Sequence, residues 1–303
     1  MKILITGSSG LVGNALLASL FKNGHSIQSL RRNIPDKHGN FWLTQSIESA
    51  NSPDFNAVIH LAGENVAQGR WTSARKRLIL SSRVNGTREL VDYISHLASK
   101  PKVFLCASAV GYYGSRSDEI LDEGSSLGEG FLAEVCDQWE KETRRLTSMG
   151  VRVVNLRFGM VLSPKGGALH KMIPPFKAGM GGIIGGGNQY ISWISISDLV
   201  DIVEFIINNE TIKGPVNIVS PTPATNKSLT QSLGKALNRP TFFRLPSLLV
   251  KTIFGRMADE MLLSSTRAIP KVLLDAGYEF KDQSLDETLQ FCTQPVSKTI
   301  TPR

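Results

Sequence analysis

Short apolar runs alternate with longer amphipathic segments over the first two thirds of the chain. Ile3, Leu4 and Ile5 open with a strand. Leu11, Val12, Ala15, Leu16, Leu17, Leu20 and Phe21 then recur at helical spacing up to Gly24, where the helix stops. Ser26–Leu30 and Ala57–Leu61 predict two further strands, and apolar Leu78, Leu80, Val84, Leu90 and Val91 predict a long helix over about 73–97. A strand at 102–108, a helix at about 131–148 ending at Gly150, and a strand from Val151 to Phe158 follow. Strand and helix alternating at this rhythm predict an α/β fold with a doubly wound parallel sheet.

The texture changes at 163. Pro164, Gly166, Gly167, Pro174, Pro175 and the glycine-rich run from Gly179 to Gly187 read as loop and hairpin. Alternation returns at 191–209 and at Pro215–Val219, with a helix near 228–238 and two more at Ser247–Phe254 and 284–291. The expected organisation is a dinucleotide-binding domain over 1–162, with 191–220 returning to its sheet. Segments 163–190 and 221–291 form a substrate cap, and 292–303 a tail.

Chemistry enters at the end of the first strand. Gly7, Gly10 and Gly13 stand three apart between strand and helix. Such a turn leaves backbone N–H groups and the positive end of a helix dipole facing whatever lies above it, which suits a pyrophosphate. Gly7 permits the turn, Gly10 the approach of the ligand, and Gly13 the packing of helix on strand. Ser9, Leu11 and Val12 complete the candidate cradle. After the second strand, an NAD site carries an acid for the ribose hydroxyl. This chain has Arg31 and Arg32 there, and paired guanidinium hydrogen bonds suit a 2′-phosphate, so NADP is the expected cofactor. The third strand should deliver Leu61, Ala62 and Gly63 to the same edge.

The chain has 303 residues, is 41% hydrophobic and carries a net charge of +8. That length can bury a large core. No run reaches the ~20 apolar residues of a membrane span, and no secretory signal precedes the first strand. The basic residues read as scattered and not interleaved with aromatics, so neither nucleic acid nor a membrane is expected as a partner. Cys106, Cys136 and Cys292 have neither disulfide nor metal spacing, which suggests a reducing, cytoplasmic setting without a metal.

These pieces resemble the extended short-chain dehydrogenase/reductases, in the branch of NAD-dependent epimerases and dehydratases. The resemblance rests on Thr6–Gly13, Leu61-Ala62-Gly63-Glu64, Ser108–Gly114 and Trp193–Asp198. Glu64-Asn65, Arg70-Trp71, Pro174-Pro175-Phe176 and Arg267–Pro270 narrow it to a subgroup with its own C-terminal domain of unknown function, some of whose members are called cell-division inhibitors. The resemblance implies a Rossmann-like fold, a small-molecule substrate of unknown identity and, in many relatives, a homodimer. It further implies contacts to the cofactor from Arg83 on the long helix and from Arg157, Phe158 and Gly159 at the end of the strand that starts at Val151.

One departure matters more than these matches. Working relatives place a Tyr and, four residues on, a Lys on one helix face, as proton donor and as the group that lowers its pKa. Phe131 and Val135 stand there in this chain, and neither moves a proton. Ser108, Tyr112 and Tyr113 are the remaining catalytic candidates. A phenol with an ordinary pKa near 10 needs a positive neighbour to serve at neutral pH. Glu134 is a weaker candidate base, and Arg70, Trp71, Lys165, His170, Lys171, Tyr190, Trp193 and Arg267 could line a basic, aromatic substrate pocket. The expectation is an NADP-dependent oxidoreductase or epimerase with a divergent centre. The alternative is an NADP-binding regulatory protein that acts through a protein partner, in cell division, without turnover.

Overall fold

The computed structural model describes residues 1–30 and 54–294. Six parallel strands form the central sheet: β1 (Lys2–Thr6), β2 (Ser26–Leu30), β3 (Ala57–His60), β4 (Val103–Ala109), β5 (Arg152–Phe158) and β6 (Gly214–Ile218), in the order β6-β5-β4-β3-β1-β2. Side chains alternate across this sheet as the pleat requires. Ile3, Ile5, Ala57, Ile59, Leu105 and Leu156 enter one apolar cluster, whereas Leu4, Val58, Phe104 and Cys106 enter the other.

Helix α1 (Leu11–Lys22) covers the first face with Leu16 and Leu20. The second is covered by α2 (Ser73–His96) and α3 (Phe131–Thr147) through Leu90, Val91, Ile94, Trp139 and Leu146. Thr72 starts α2 by accepting from the Arg75 amide at 3.1 Å.

The segment after β5 differs from expectation, because 163–190 contains a helix, α4 (Gly167–Lys177). Leu169 and Phe176, seven apart, are its buried stripe. Pro174 and Pro175 sit inside it and supply no N–H to the carbonyls four residues back, so the packing of this stripe holds the helix in place of two of its own bonds. Helix α5 (Ile196–Asn208) returns to the first face of the sheet, α6 (Asn226–Ala236) follows β6, and α7 (Ser247–Phe254), α8 (Lys271–Asp275) and α9 (Leu285–Thr293) complete the chain. Leu169, Phe176, Trp193, Leu229, Leu233, Leu289 and Cys292 make a separate cluster. Helix α9 runs through Cys292 and Thr293, so those residues belong to the packed unit and not to the expected tail; burying Cys292 against Leu289 is the reason.

Asp198 fastens the C-terminal part to the sheet. The amide of Asp198 donates to Ser195 Oγ at 3.0 Å to start α5, and its fully buried carboxylate accepts from the amides of Lys281 and Asp282 at 3.0 and 2.9 Å. The Tyr278 hydroxyl also lies 3.3 Å from it, and burial together with that negative neighbour pushes the phenol well above its ordinary range.

Candidate functional site

β1 lies between β2 and β3, so successive strands leave it in opposite directions and a crevice opens above its carboxyl end. The glycine turn sits at that point. Gly7 has φ +71°, and a Cβ there would lie 2.8 Å from the Ala62 amide nitrogen. A Cβ on Gly13 would lie 2.3 Å from the Gly7 carbonyl oxygen. Only glycine fits either position without moving backbone.

The first intrahelical bond runs from the Asn14 amide to the Gly10 oxygen at 2.9 Å, and Gly10 provides no side-chain cap. The amides of Leu11, Val12 and Gly13 are therefore outside the helical ladder, at its positive end. Ser9 and Gly10 are exposed above them, with the Ser9 carbonyl held by Asn14 Nδ2 at 3.0 Å. Leu11 itself reaches toward the turn that starts α4, where a Cβ on Gly167 would meet it at 3.0 Å. This cradle fits a dinucleotide pyrophosphate by its donors and by the close backbone approach that the glycines allow. Arg31 and Arg32 lie outside the described residues.

The strand beside the turn is locked to it by a buried histidine that the sequence reading passed over. His60 ring nitrogens meet Thr6 Oγ1 at 2.7 Å and Thr87 Oγ1 at 2.9 Å, while Thr6 Oγ1 also accepts from the amides of Leu61 and Ala62. Burial, with help from the positive Arg83, pushes the imidazole pKa down to about 3, so the ring is neutral. Arg83 packs its guanidinium against Gly63, where a Cβ would lie 3.2 Å from Arg83 Cζ. The same guanidinium faces the Trp139 ring at 5.1 Å. Thus Leu61, Ala62, Gly63 and Arg83 are brought to the edge that carries the glycine turn.

Ser108, Tyr112, Tyr113 and Arg157 are brought together elsewhere, around Glu140 of α3. Ser108 donates to Glu140 Oε1 at 2.7 Å, and Arg157 reaches both carboxylate oxygens at 2.8 Å. Tyr113 is fully buried; its hydroxyl donates to Asn217 Oδ1 at 2.7 Å and accepts from Arg157 at 3.0 Å. The Arg157 guanidinium carbon stands 3.5 Å from the Tyr112 ring centroid.

These contacts bear on three of the candidates. Arg157 is engaged by Glu140 and the two tyrosines. Burial alone would lower its pKa, but its hydrogen bonds to Glu140 hold it above the ordinary range. Tyr113 has its positive neighbour, yet burial outweighs it and pushes the phenol up to about 12, away from useful acid–base work at neutral pH. The Ser108 hydroxyl is likewise committed. Glu140 was missed, although the acid stands on the buried stripe of α3 with Cys136, Trp139 and Thr143, and that placement was its signal. Phe158 packs between the two sheet cores, and Gly159 allows Ser192 and Val219 to approach, since a Cβ would come within 2.6 Å of the Ser192 oxygen.

At the start of α3, the Phe131 ring stands edge-on to Trp71 at 5.4 Å, with Lys76 Nζ 4.7 Å from the Phe131 centroid. Glu260 caps this end by accepting from the Leu132 amide at 2.8 Å. Val135 and Cys136 are buried beneath, and burial, together with nearby Glu140, pushes the Cys136 thiol up to about 11, so it packs as a small apolar group. Glu134 is exposed, and Trp193 is buried in the core with its indole N–H on the Thr222 carbonyl at 2.8 Å. Nothing in the sequence pointed to Lys76, which reaches this place only because α2 and α3 pack together.

Comparison with known proteins agrees with this architecture. Residues 3–219 match the model of the NAD dependent epimerase/dehydratase family, and residues 245–292 match a domain of unknown function, DUF1731. An epimerase family protein of Mycobacterium bovis is 41% identical over 96% of this chain and 97% of its own length. Epimerase family protein YfhF of Bacillus subtilis is 34% identical over 95% and 97%. The crystal structure of a human epimerase family protein, SDR39U1, with NADPH superposes with a TM-score of 0.88 at 33% identity, covering 96% of this chain and 99% of that one. A Rossmann-like, NAD(P)-binding α/β fold of the oxidoreductase and epimerase type is therefore established, and the chain belongs to the NAD dependent epimerase/dehydratase family.

Proposed function

We propose that the protein is an NADP-dependent oxidoreductase or epimerase-like enzyme whose proton transfer does not pass through a Tyr/Lys pair. The observation that carries the reading is the uncapped start of α1 at the sheet's switch point, with Gly7 and Gly13 excluding any side chain. NADP over NAD is supported by Arg31-Arg32 in the sequence and by the NADPH bound to the human relative.

In this reading the amides of Leu11, Val12 and Gly13 hold the pyrophosphate and Arg83 adds positive charge beside Gly63. When bound, the nicotinamide supplies hydride chemistry. Trp71 and Phe131 form an apolar wall that keeps water from that edge, Val135 is buried one turn further along α3, and the Lys76 ammonium above Phe131 brings a positive charge there. The substrate is a small molecule carrying a carbonyl or carbinol carbon. Calorimetric titration with NADPH and NADH, on the wild type and on an Arg31→Ala, Arg32→Ala variant, tests the cofactor. Tight NADPH binding lost in the variant is expected; failure of both nucleotides to bind would end the reading.

One observation favours binding without turnover as a second reading: the Ser108 and Tyr113 hydroxyls are both engaged with Glu140, Asn217 and Arg157. A regulatory protein that senses NADP occupancy needs the cradle but no proton donor. NADPH oxidation across a panel of carbonyl compounds and sugar nucleotides separates the two.

A further inference from the structure

Positive charge is not spread evenly along this chain. From Thr211 to Ala258 there is no Asp or Glu, but there are Lys213, Lys227, Lys235, Arg239, Arg244, Lys251 and Arg256. All but one unit of the net charge of +8 therefore resides in this stretch. Lys235 and Lys251 pair with Asp286 and Asp259. Among the described residues, exposed Arg239, Arg244 and Arg256 enter no ion pair.

The same stretch holds the two most exposed large apolar side chains of the described fold, Phe242 and Leu248. Phe242 is 87% exposed, Leu248 76% and Phe243 59%, with Leu249 and Ile253 about half exposed. On α7, Leu248, Leu249, Thr252 and Ile253 fall on one side by helical spacing, while Val250, on the other, is its single buried residue. Phe243 pairs with Gly182 in a short parallel ladder, and exposed Met180 leads into that partner strand. Isolated surface leucines need no explanation, but a run of exposed apolar side chains interleaved in sequence with exposed arginines does.

We propose that this face docks on an anionic lipid surface. Phe242, Phe243, Leu248 and Ile253 would enter the headgroup boundary while Arg239, Arg244 and Arg256 meet lipid phosphates. Among the described residues no helix is long and apolar enough to cross a membrane, so the protein lies on the surface.

Charge decides against a second copy of the chain as the occupant. A two-fold interface would set these arginines against their own counterparts, with no acid from the stretch to offset them. Arg70 connects this face to the candidate site, donating to the carbonyls of Ile253 and Thr252 from the residue next to Trp71. The proposal is independent of the cofactor reading.

Flotation with phosphatidylcholine vesicles, with and without phosphatidylglycerol, tests it on the full chain. Binding to the anionic vesicles alone is expected, weakening as salt is raised. Arg239→Gln or Arg244→Gln should each weaken it about fivefold, from roughly 1 kcal/mol per basic residue at such a surface. A Phe242→Ser, Leu248→Ser variant should lose binding while keeping the wild-type melting temperature, because both side chains are exposed. Three outcomes would overturn the proposal. The wild type could stay off anionic vesicles at low salt, or bind them unchanged in both kinds of variant. Alternatively, sedimentation could show a dimer that the Phe242→Ser, Leu248→Ser variant dissociates, which assigns the face to a second copy.

Discussion

Arg157 and Glu140 form a two-point ion pair, 2.8 Å on each arm, buried between the end of β5 and the middle of α3. It gathers Ser108, Tyr112 and Tyr113 around itself, so the strand ends nearest the expected catalytic centre are held by one charged core. Breaking a buried pair from one side costs more than the pair is worth, because the remaining charge is stranded. Glu140→Gln should therefore destabilise the fold by about 3–5 kcal/mol. Chemical denaturation measures this, and a loss below about 1 kcal/mol would mean water already reaches Arg157.

Tyr113→Phe separates a structural phenol from a catalytic one. The ring stays in its buried place, while Asn217 Oδ1 and an Arg157 nitrogen lose a partner, at about 1–3 kcal/mol. Stability should fall, and kcat for any NADPH-linked reaction should not. A selective drop in kcat with an unchanged melting temperature would restore Tyr113 to the chemistry.

His60 makes the fold sensitive to acid. Its folded pKa of about 3 lies below the unfolded value of 6.5, so the unfolded chain binds the extra proton first as pH falls. The stability is present above pH 6.5 and is lost between there and about 3, at no more than roughly 1.4 kcal/mol per pH unit. Denaturation midpoints between about pH 7.5 and pH 5 should decline in the wild type and flatten in His60→Gln. An equal slope in both would place the acid sensitivity elsewhere.

The glycine turn predicts a variant that fails for a geometric reason. Gly13→Ala puts a methyl 2.3 Å from the Gly7 carbonyl oxygen, so helix and turn must part. Displacing the amides of Leu11 and Val12 forfeits a charge-assisted hydrogen bond, about 1.5–3 kcal/mol, or tenfold and more in NADPH affinity. Calorimetry on a folded Gly13→Ala protein reads this, and wild-type affinity would show that the pyrophosphate sits elsewhere.

What was legible in the sequence was local. Gly7-Gly10-Gly13, the strand at Ala57–His60 and the helix at Ser73–His96 each announce themselves within a few residues, because backbone geometry and periodicity are local quantities. Helix Gly167–Lys177 did not, since Pro174 and Pro175 hide the Leu169–Phe176 stripe. The roles of Ser108, Tyr113 and Arg157 could not be read either. They depend on which side of the sheet Glu140 and Asn217 occupy, 32 and 104 residues from Ser108 and Tyr113 respectively. The charge pattern, by contrast, was legible: basic residues that look scattered along the chain gather in Thr211–Ala258 once acids are mapped against them.

The missing phenol can be put back one residue at a time. Val135 is buried, so a lysine there would strand an ammonium in an apolar wall, whereas Phe131 already has one nearby in Lys76, 4.7 Å from its ring centre. Phe131→Tyr would give that ammonium a hydroxyl to act on, and a positive neighbour lowers a phenol's pKa below its ordinary 10. If proton donation is what limits turnover, the variant gains NADPH-dependent carbonyl reduction, with an alkaline limb below about pH 10. Adding Lys76→Met should move that limb upward and reduce the gain. If Phe131→Tyr shows no activity that the wild type lacks, the apolar face at Phe131 is not the obstacle to turnover.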